Sequence, residues 1–244
     1  MLDDNATLKL TRSEKNYEEL LYRPAQLHVH APSEHTIDDK YYDLEMHFVN
    51  VPIEGTEEKH KEFASKQKAK DGDFDYKVNY AVLGVMFTET DCKDLTGKSI
   101  KDCEAKLNAS EAFWNALNLE NIPQGSGNPA TSANPFWGST DNVPLANFAK
   151  SFDLTQFYSY DGSLTTPPCW EGVRWTVLKN AMPISARIMQ LIRRNFDGNW
   201  RFAGYRGNNR VIQKRRNRVL HFQEATMTMA ATATAFGVAA AMLF

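Results

Sequence analysis

Apolar and polar positions alternate twice between Gln26 and Asn50, a stretch that holds four of the chain's six histidines. In an extended strand, successive side chains point to opposite faces. Leu27 and Val29 therefore face one way, while Gln26, His28 and His30 face the other. After a polar connection, residues 43–49 alternate again, with Leu44, Met46 and Phe48 on one face and Glu45, His47 and Val49 on the other. The pattern predicts strands over residues 22–30 and 43–49, the first with an edge or irregular start because Pro24 removes a ladder donor. Residues 76–87 are almost continuously apolar and rich in valine, which predicts a strand buried on both faces. Shorter strands are predicted at residues 6–10 and 152–158. Between residues 90 and 119 a polar loop leads into a helix, with Ser110 as its N-cap ahead of Phe113 and Trp114. Ser185 caps a second, short helix whose Ile188, Leu191 and Ile192 form a packing face. Residues 52–73, highly charged, and 124–143, rich in Gly, Pro, Asn and Ser, read as surface excursion and loop.

The first two strands bring His28, His30 and His47 to one region. Three neutral imidazoles with no fourth protein ligand match a catalytic zinc site that keeps one position open for water. A closed structural site takes four ligands, and Cys92, Cys103 and Cys169 lie far from this stretch in the sequence. A ligating histidine also needs its second ring nitrogen held by an acceptor, and Gln26 and Glu45 share the ligand face. His60, within the charged excursion, reads as a solvated histidine. Further along, Thr165 and Thr166 present hydroxyls, and Pro167 and Pro168 fix the backbone behind them.

The segments QLHVHAPSEH, DLEMHFV and YDGSLTTPPCWEGVRW, in that order, resemble the signature segments of the alpha-class carbonic anhydrases. The resemblance runs from about Tyr22 to about Arg210. It implies a mostly β, single-domain fold built on a large, chiefly antiparallel twisted sheet with short peripheral helices. It implies that His28, His30 and His47 bind Zn2+, with Gln26, Glu45 and Asn199 supporting His28, His47 and His30 in turn. Thr165 would be the gatekeeper that donates its hydroxyl proton to Glu34. Val49, Val82, Leu164, Thr166 and Trp175 would line the substrate pocket. The implied reaction is reversible hydration of carbon dioxide to bicarbonate and a proton by a zinc-bound hydroxide, with a catalytically impaired or binding-only member of the same fold as the alternative. The family places several strands before the first ligand strand, whereas 27 residues precede His28 here, so the resemblance implies that the family's first strands are missing from this sequence.

Composition adds limits. The 244 residues, 42% apolar and 24% charged, suit one domain with a real core, expected over residues 1–224. A net charge of -2 gives no electrostatic case for nucleic acid. Residues 227–244 carry no charge and sit at the lower limit for a membrane span. The tail over residues 225–244 reads as an anchor signal, a membrane segment or a disordered end, and membrane attachment through it is one expectation. No signal peptide is visible. Cys169 matches the position that in secreted family members joins an N-terminal cysteine. This position and the uncharged tail favour an extracellular or cell-surface location. Cys92 and Cys103 are able to pair, although spacing alone leaves the connectivity open.

Overall fold

The computed structural model describes residues 8–10, 20–53, 55, 58, 76–121, 148–194, 207–214 and 218–224. Its strands are β1 (Leu8–Leu10), β2 (Leu20–His30), β3 (Thr36–Ile37), β4 (Lys40–Tyr41), β5 (Leu44–Pro52), β6 (Tyr76–Glu89), β7 (Gln156–Ser163), β8 (Glu171–Leu178), β9 (Met182–Ile184) and β10 (His221–Glu224). Among the described residues these form an eight-stranded sheet in the order β1-β2-β5-β6-β8-β7-β10, with β9 also pairing β6. The sheet is mixed: β6 runs parallel to β8 and β9, and the other pairs are antiparallel. The separate β3–β4 hairpin turns at Asp38 and Asp39, both at positive φ, as its tight turn requires.

The alternation read from the sequence separates two cores. On one face of the sheet Leu27, Val29, Leu44, Met46, Val85 and Phe87 pack under two helices, α1 (Lys98–Ala116) and α2 (Ala186–Arg193). Phe113 and Trp114 of α1 and Ile188 and Ile192 of α2 are fully buried there. The other face carries a smaller apolar cluster of Val49, Val82, Met86, Val173, Trp175 and Val177. Register explains its shape, because Val49 pairs with Val82, which pairs with Trp175 in turn. One turn of register along, His47 pairs with Gly84 and Gly84 with Val177. The face that carries the histidines is thus also the face that carries this apolar strip.

Several local expectations shift. Pro24 sits at a register break between Pro24 and Gln26, and β2 continues back to Leu20 and pairs on both sides. The first helix begins at Lys98, capped by Gly97 without a side-chain bond, and Ser110 is a buried residue inside it rather than its N-cap. Its first three turns carry only a sparse apolar pattern, Ile100, Cys103 and Leu107, among good helix formers such as Lys, Glu and Ala. A disulfide joins Cys103 of that helix to Cys92 in the preceding loop. Strand β7 begins at Gln156, later than residue 152. Phe152 packs in a turn before it, and Asp153 accepts hydrogen bonds from the Thr155 amide and hydroxyl, which sets the strand start. Ser185 caps α2 as expected, accepting from the Ile188 amide.

Candidate metal centre

His28 and His30 extend from β2, and His47 extends from β5 directly opposite His28. Their rings form a triangle with centroids 4.7 to 5.0 Å apart. All three are buried, at 9%, 3% and 1% exposure, so solvent is not what occupies their polar nitrogens.

One nitrogen of each ring is anchored. The Gln26 side-chain oxygen lies 3.0 Å from His28 Nδ1, a Glu45 carboxylate oxygen 2.8 Å from His47 Nε2, and the Asn208 carbonyl 3.3 Å from His30 Nδ1. All three partners are acceptors, so these nitrogens carry the protons and donate. That leaves lone pairs on His28 Nε2, His30 Nε2 and His47 Nδ1, and one ligand atom from each ring lies within 4.8 Å of the others. His28 Nε2 and His47 Nδ1 are 3.2 Å apart. Two nitrogens bound to one tetrahedral zinc at its usual bond length stand about 3.4 Å apart. His30 Nε2 is buried without a hydrogen-bond partner. The donor set, its tautomers and its spacing therefore fit zinc. Burial, helped by neighbouring histidines, lowers the pKa of His28 well below the ordinary value and that of His30 to about 4. Both imidazoles are accordingly neutral at pH 7, the form a metal ligand requires.

Glu45 is the hub of the supporting shell. Its carboxylate accepts hydrogen bonds from the amides of Glu34 and His35 and from the rings of His35 and His47, at 2.6 to 2.9 Å. Burial works to raise its pKa, but His35 and His47 outweigh burial and hold the carboxyl well below its usual range. The same pairing lifts His35, against its own burial. The other nitrogen of His35 lies 2.6 Å from the Tyr160 hydroxyl, whose pKa is raised first by burial and then by Glu45.

Glu34 is buried and accepts the Arg210 amide through one oxygen, at 2.7 Å. Its other oxygen has no hydrogen-bond partner and lies 3.4 Å from His30 Nε2. Thr165 lines the same cavity of about 230 Å³ as Glu34, although no hydrogen bond joins them. Val49, Val82 and Trp175 lie in the apolar strip, with Leu164 packed against it, and the Trp175 ring centroid is 4.7 Å from that of His47. Thr166 is exposed.

Asn199 lies outside the described residues, as do His60 and the tail over residues 225–244. Three contributors escaped the sequence reading. Asn208 acts through its main-chain carbonyl, which no residue type announces. His35 sits in a turn, where no periodicity assigns it a direction. Gly84 matters for the side chain it lacks: a Cβ there would stand 2.9 Å from the Glu45 carboxylate. No helix among the described residues is long and apolar enough to cross a membrane.

Among known proteins, residues 2–224 match the family of eukaryotic-type carbonic anhydrases. Alpha carbonic anhydrase 4 of Arabidopsis thaliana is 27% identical over 199 residues, 82% of this chain and 53% of that protein. Carbonic anhydrase 15 of Mus musculus is 29% identical over 177 residues, 69% and 44% of the two chains. The chain thus spans about half the length of the curated relatives it matches. A solved alpha carbonic anhydrase from Thermovibrio ammonificans, in complex with the inhibitor sulfanilamide, superposes with a TM-score of 0.51 at 23% identity, covering 90% of this chain and 72% of that one. Dioscorin superposes with a TM-score of 0.52 at 20% identity, covering 86% and 65%. At these identities the solved structures establish a shared fold and nothing finer.

Proposed function

The chain belongs to the eukaryotic-type carbonic anhydrase family, and from that premise we propose that it catalyses the reversible hydration of carbon dioxide to bicarbonate and a proton. The observation that carries the reading is the convergence of one nitrogen from each of three imidazoles, each ring fixed by an acceptor on its far side. His28, His30 and His47 would hold Zn2+. When bound, zinc supplies a Lewis acid that brings the pKa of water to about 7, a value known from carbonic anhydrase itself.

The chain's own groups supply the rest. Gln26, Glu45 and the Asn208 carbonyl fix the ring tautomers, so no proton has to leave an imidazole before the metal is held. Glu34 keeps one buried oxygen without a partner, and that oxygen is the acceptor we assign to the Thr165 hydroxyl. Thr165, with its one hydroxyl hydrogen donated to Glu34, can only accept from the attacking oxygen, which orients that oxygen's own hydrogen toward Thr165. Carbon dioxide is small and apolar, and Val49, Val82, Leu164 and Trp175 form the apolar wall beside the imidazoles that suits it.

A second reading, a family member that binds zinc without turnover, is favoured by the absence of a Thr165–Glu34 hydrogen bond in this structure. Zinc analysis and stopped-flow carbon dioxide hydration on the full chain and on Thr165→Ala separate the two. The catalytic reading expects about one zinc per chain in both proteins, with the hydration rate falling at least about tenfold in the variant. Zinc without hydration in the full chain establishes the second reading, and folded protein without zinc removes both.

A further inference from the structure

Together with Ser163 and Cys169, the segment after Asn208 walls a second cavity of about 370 Å³, within the roughly 300–1,000 Å³ typical of small-ligand pockets. It adjoins the cavity that holds Glu34 and Thr165. Its charged lining is Arg210, Lys214 and Arg218 against the one carboxylate of Glu171. Glu171 is paired with Arg218 at 3.0 Å, so its negative charge is already engaged. Glu34 takes the main-chain amide of Arg210 and not its guanidinium. That guanidinium reaches only the Leu164 carbonyl among the described residues, at 3.5 Å, the outer limit of a hydrogen bond. Lys214 is exposed and has no ion pair among the described residues. The cavity therefore has a surplus of positive charge and guanidinium donors that the fold itself does not use.

We propose that this cavity binds a multiply charged oxyanion, inorganic phosphate or a small phosphate ester. The planar fork of Arg210 suits two oxygens of such a group, and Lys214 adds a mobile point charge at the rim. Chloride, a single spherical charge, offers no pair of oxygens to the guanidinium fork. The proposal is independent of carbon dioxide hydration, because none of these side chains acts in that reading and only the Arg210 main chain does.

Cys169 gives a local reporter. It lines this cavity, and the disulfide between Cys92 and Cys103 leaves it as the free thiol. The test is the rate at which a doubly anionic aromatic disulfide modifies Cys169 in the full chain, with inorganic phosphate titrated against chloride at fixed ionic strength. Phosphate is expected to slow modification saturably. Lys214→Gln removes a charge, and Gln213→Glu places a carboxylate on the same exposed wall. Each should raise the half-saturating phosphate concentration roughly three- to tenfold, a charged hydrogen bond discounted for exposure. Phosphate acting no more strongly than chloride overturns the proposal. So does a half-saturation point unchanged in both variants. A small phosphate ester that competes with phosphate for the same protection identifies the ester as the better occupant, and one that fails to compete restricts the site to inorganic phosphate.

Discussion

Replacing Gly84 by alanine tests whether the Glu45 hub is as tightly fixed as its contacts imply. The added Cβ would stand 2.9 Å from a Glu45 carboxylate oxygen and 3.5 and 3.8 Å from the Val177 methyls. A carbon and an oxygen rest comfortably at about 3.3–3.6 Å, so the carboxylate has to retreat by about 0.4 Å or more. A free carboxylate would swing aside at little cost. This one is fully buried and holds two amides and two imidazoles, so retreat lengthens the bonds to His47 and His35 together. Overpacking of this kind costs about 1–3 kcal/mol. Partial loss of two charge-assisted hydrogen bonds adds about 1 kcal/mol. Gly84→Ala should therefore lose about 2–4 kcal/mol in urea unfolding. It should also lose about ten- to a hundredfold in zinc affinity by chelator competition, the usual effect of disturbing a ligand's outer partner. Gly97→Ala is the control: its Cβ meets nothing within 4 Å, although φ of 64° makes it strained, so it should cost about 1 kcal/mol and leave zinc affinity alone. Zinc affinity in Gly84→Ala within about twofold of the parent would refute a rigid hub.

His47→Ala should strip most zinc from the purified chain by metal analysis, because two imidazoles make a poor site; unchanged metal content removes His47 from the ligand set. Gly207 has φ of 131°, and a Cβ there would collide with the Ala31 carbonyl and come within 2.7 Å of Pro32. Gly207→Ala should accordingly displace Asn208 from His30 and weaken zinc binding, and a variant with parental affinity denies the Asn208 carbonyl its role. In metal-free protein the pKa values of His28 and His30 lie below the ordinary imidazole value. Between about pH 6.5 and about 4 the unfolded chain therefore binds protons that the folded chain refuses. Stability of the chelated protein should fall as pH is lowered through that window, and His30→Gln should flatten the fall in Tm; an unaltered slope would show that His30 is not its source.

Much of the candidate ligand set was legible because strand periodicity is strict. His28, His30 and His47 had to share a face once the two strands were recognised, and the pairing of His28 opposite His47 follows from antiparallel register. The same rule brought Glu45 and Val49 to that face. What stayed hidden has physical reasons. Asn208 is joined to His30 by a carbonyl that every residue possesses, across a sequence separation of 178. His35 reaches Glu45 from a turn, where side-chain direction depends on the whole loop. The start of α1 was hard to read because its mostly polar first turns carry only Ile100, Cys103 and Leu107 as a thin apolar line, although their propensity for helix is good. Ser110, a fair cap by residue type, lies mid-helix, since burial of Phe113 and Trp114 organises the helix rather than its nearest serine.

The distribution of these contacts also bears on how the site forms. The candidate ligands come from two adjacent strands, so their geometry depends on one antiparallel pairing and requires closing only the short connection between them. The brace on His30 is of the opposite kind. Asn208 accepts the Ala31 amide and donates to the Val29 carbonyl with its side chain, while its own carbonyl faces the His30 ring. It therefore grips β2 on either side of His30 and cannot do so until the chain has returned from the far side of the sheet. Beside it, Arg210 delivers its amide to Glu34. A ligand triad can thus assemble early from local structure, whereas the orientation of His30 and the setting of Glu34 depend on one late-arriving segment. Zinc retained by the triad but lost faster when that segment is disturbed is the behaviour this division requires, since affinity for a metal includes the cost of ordering the groups that hold its ligands.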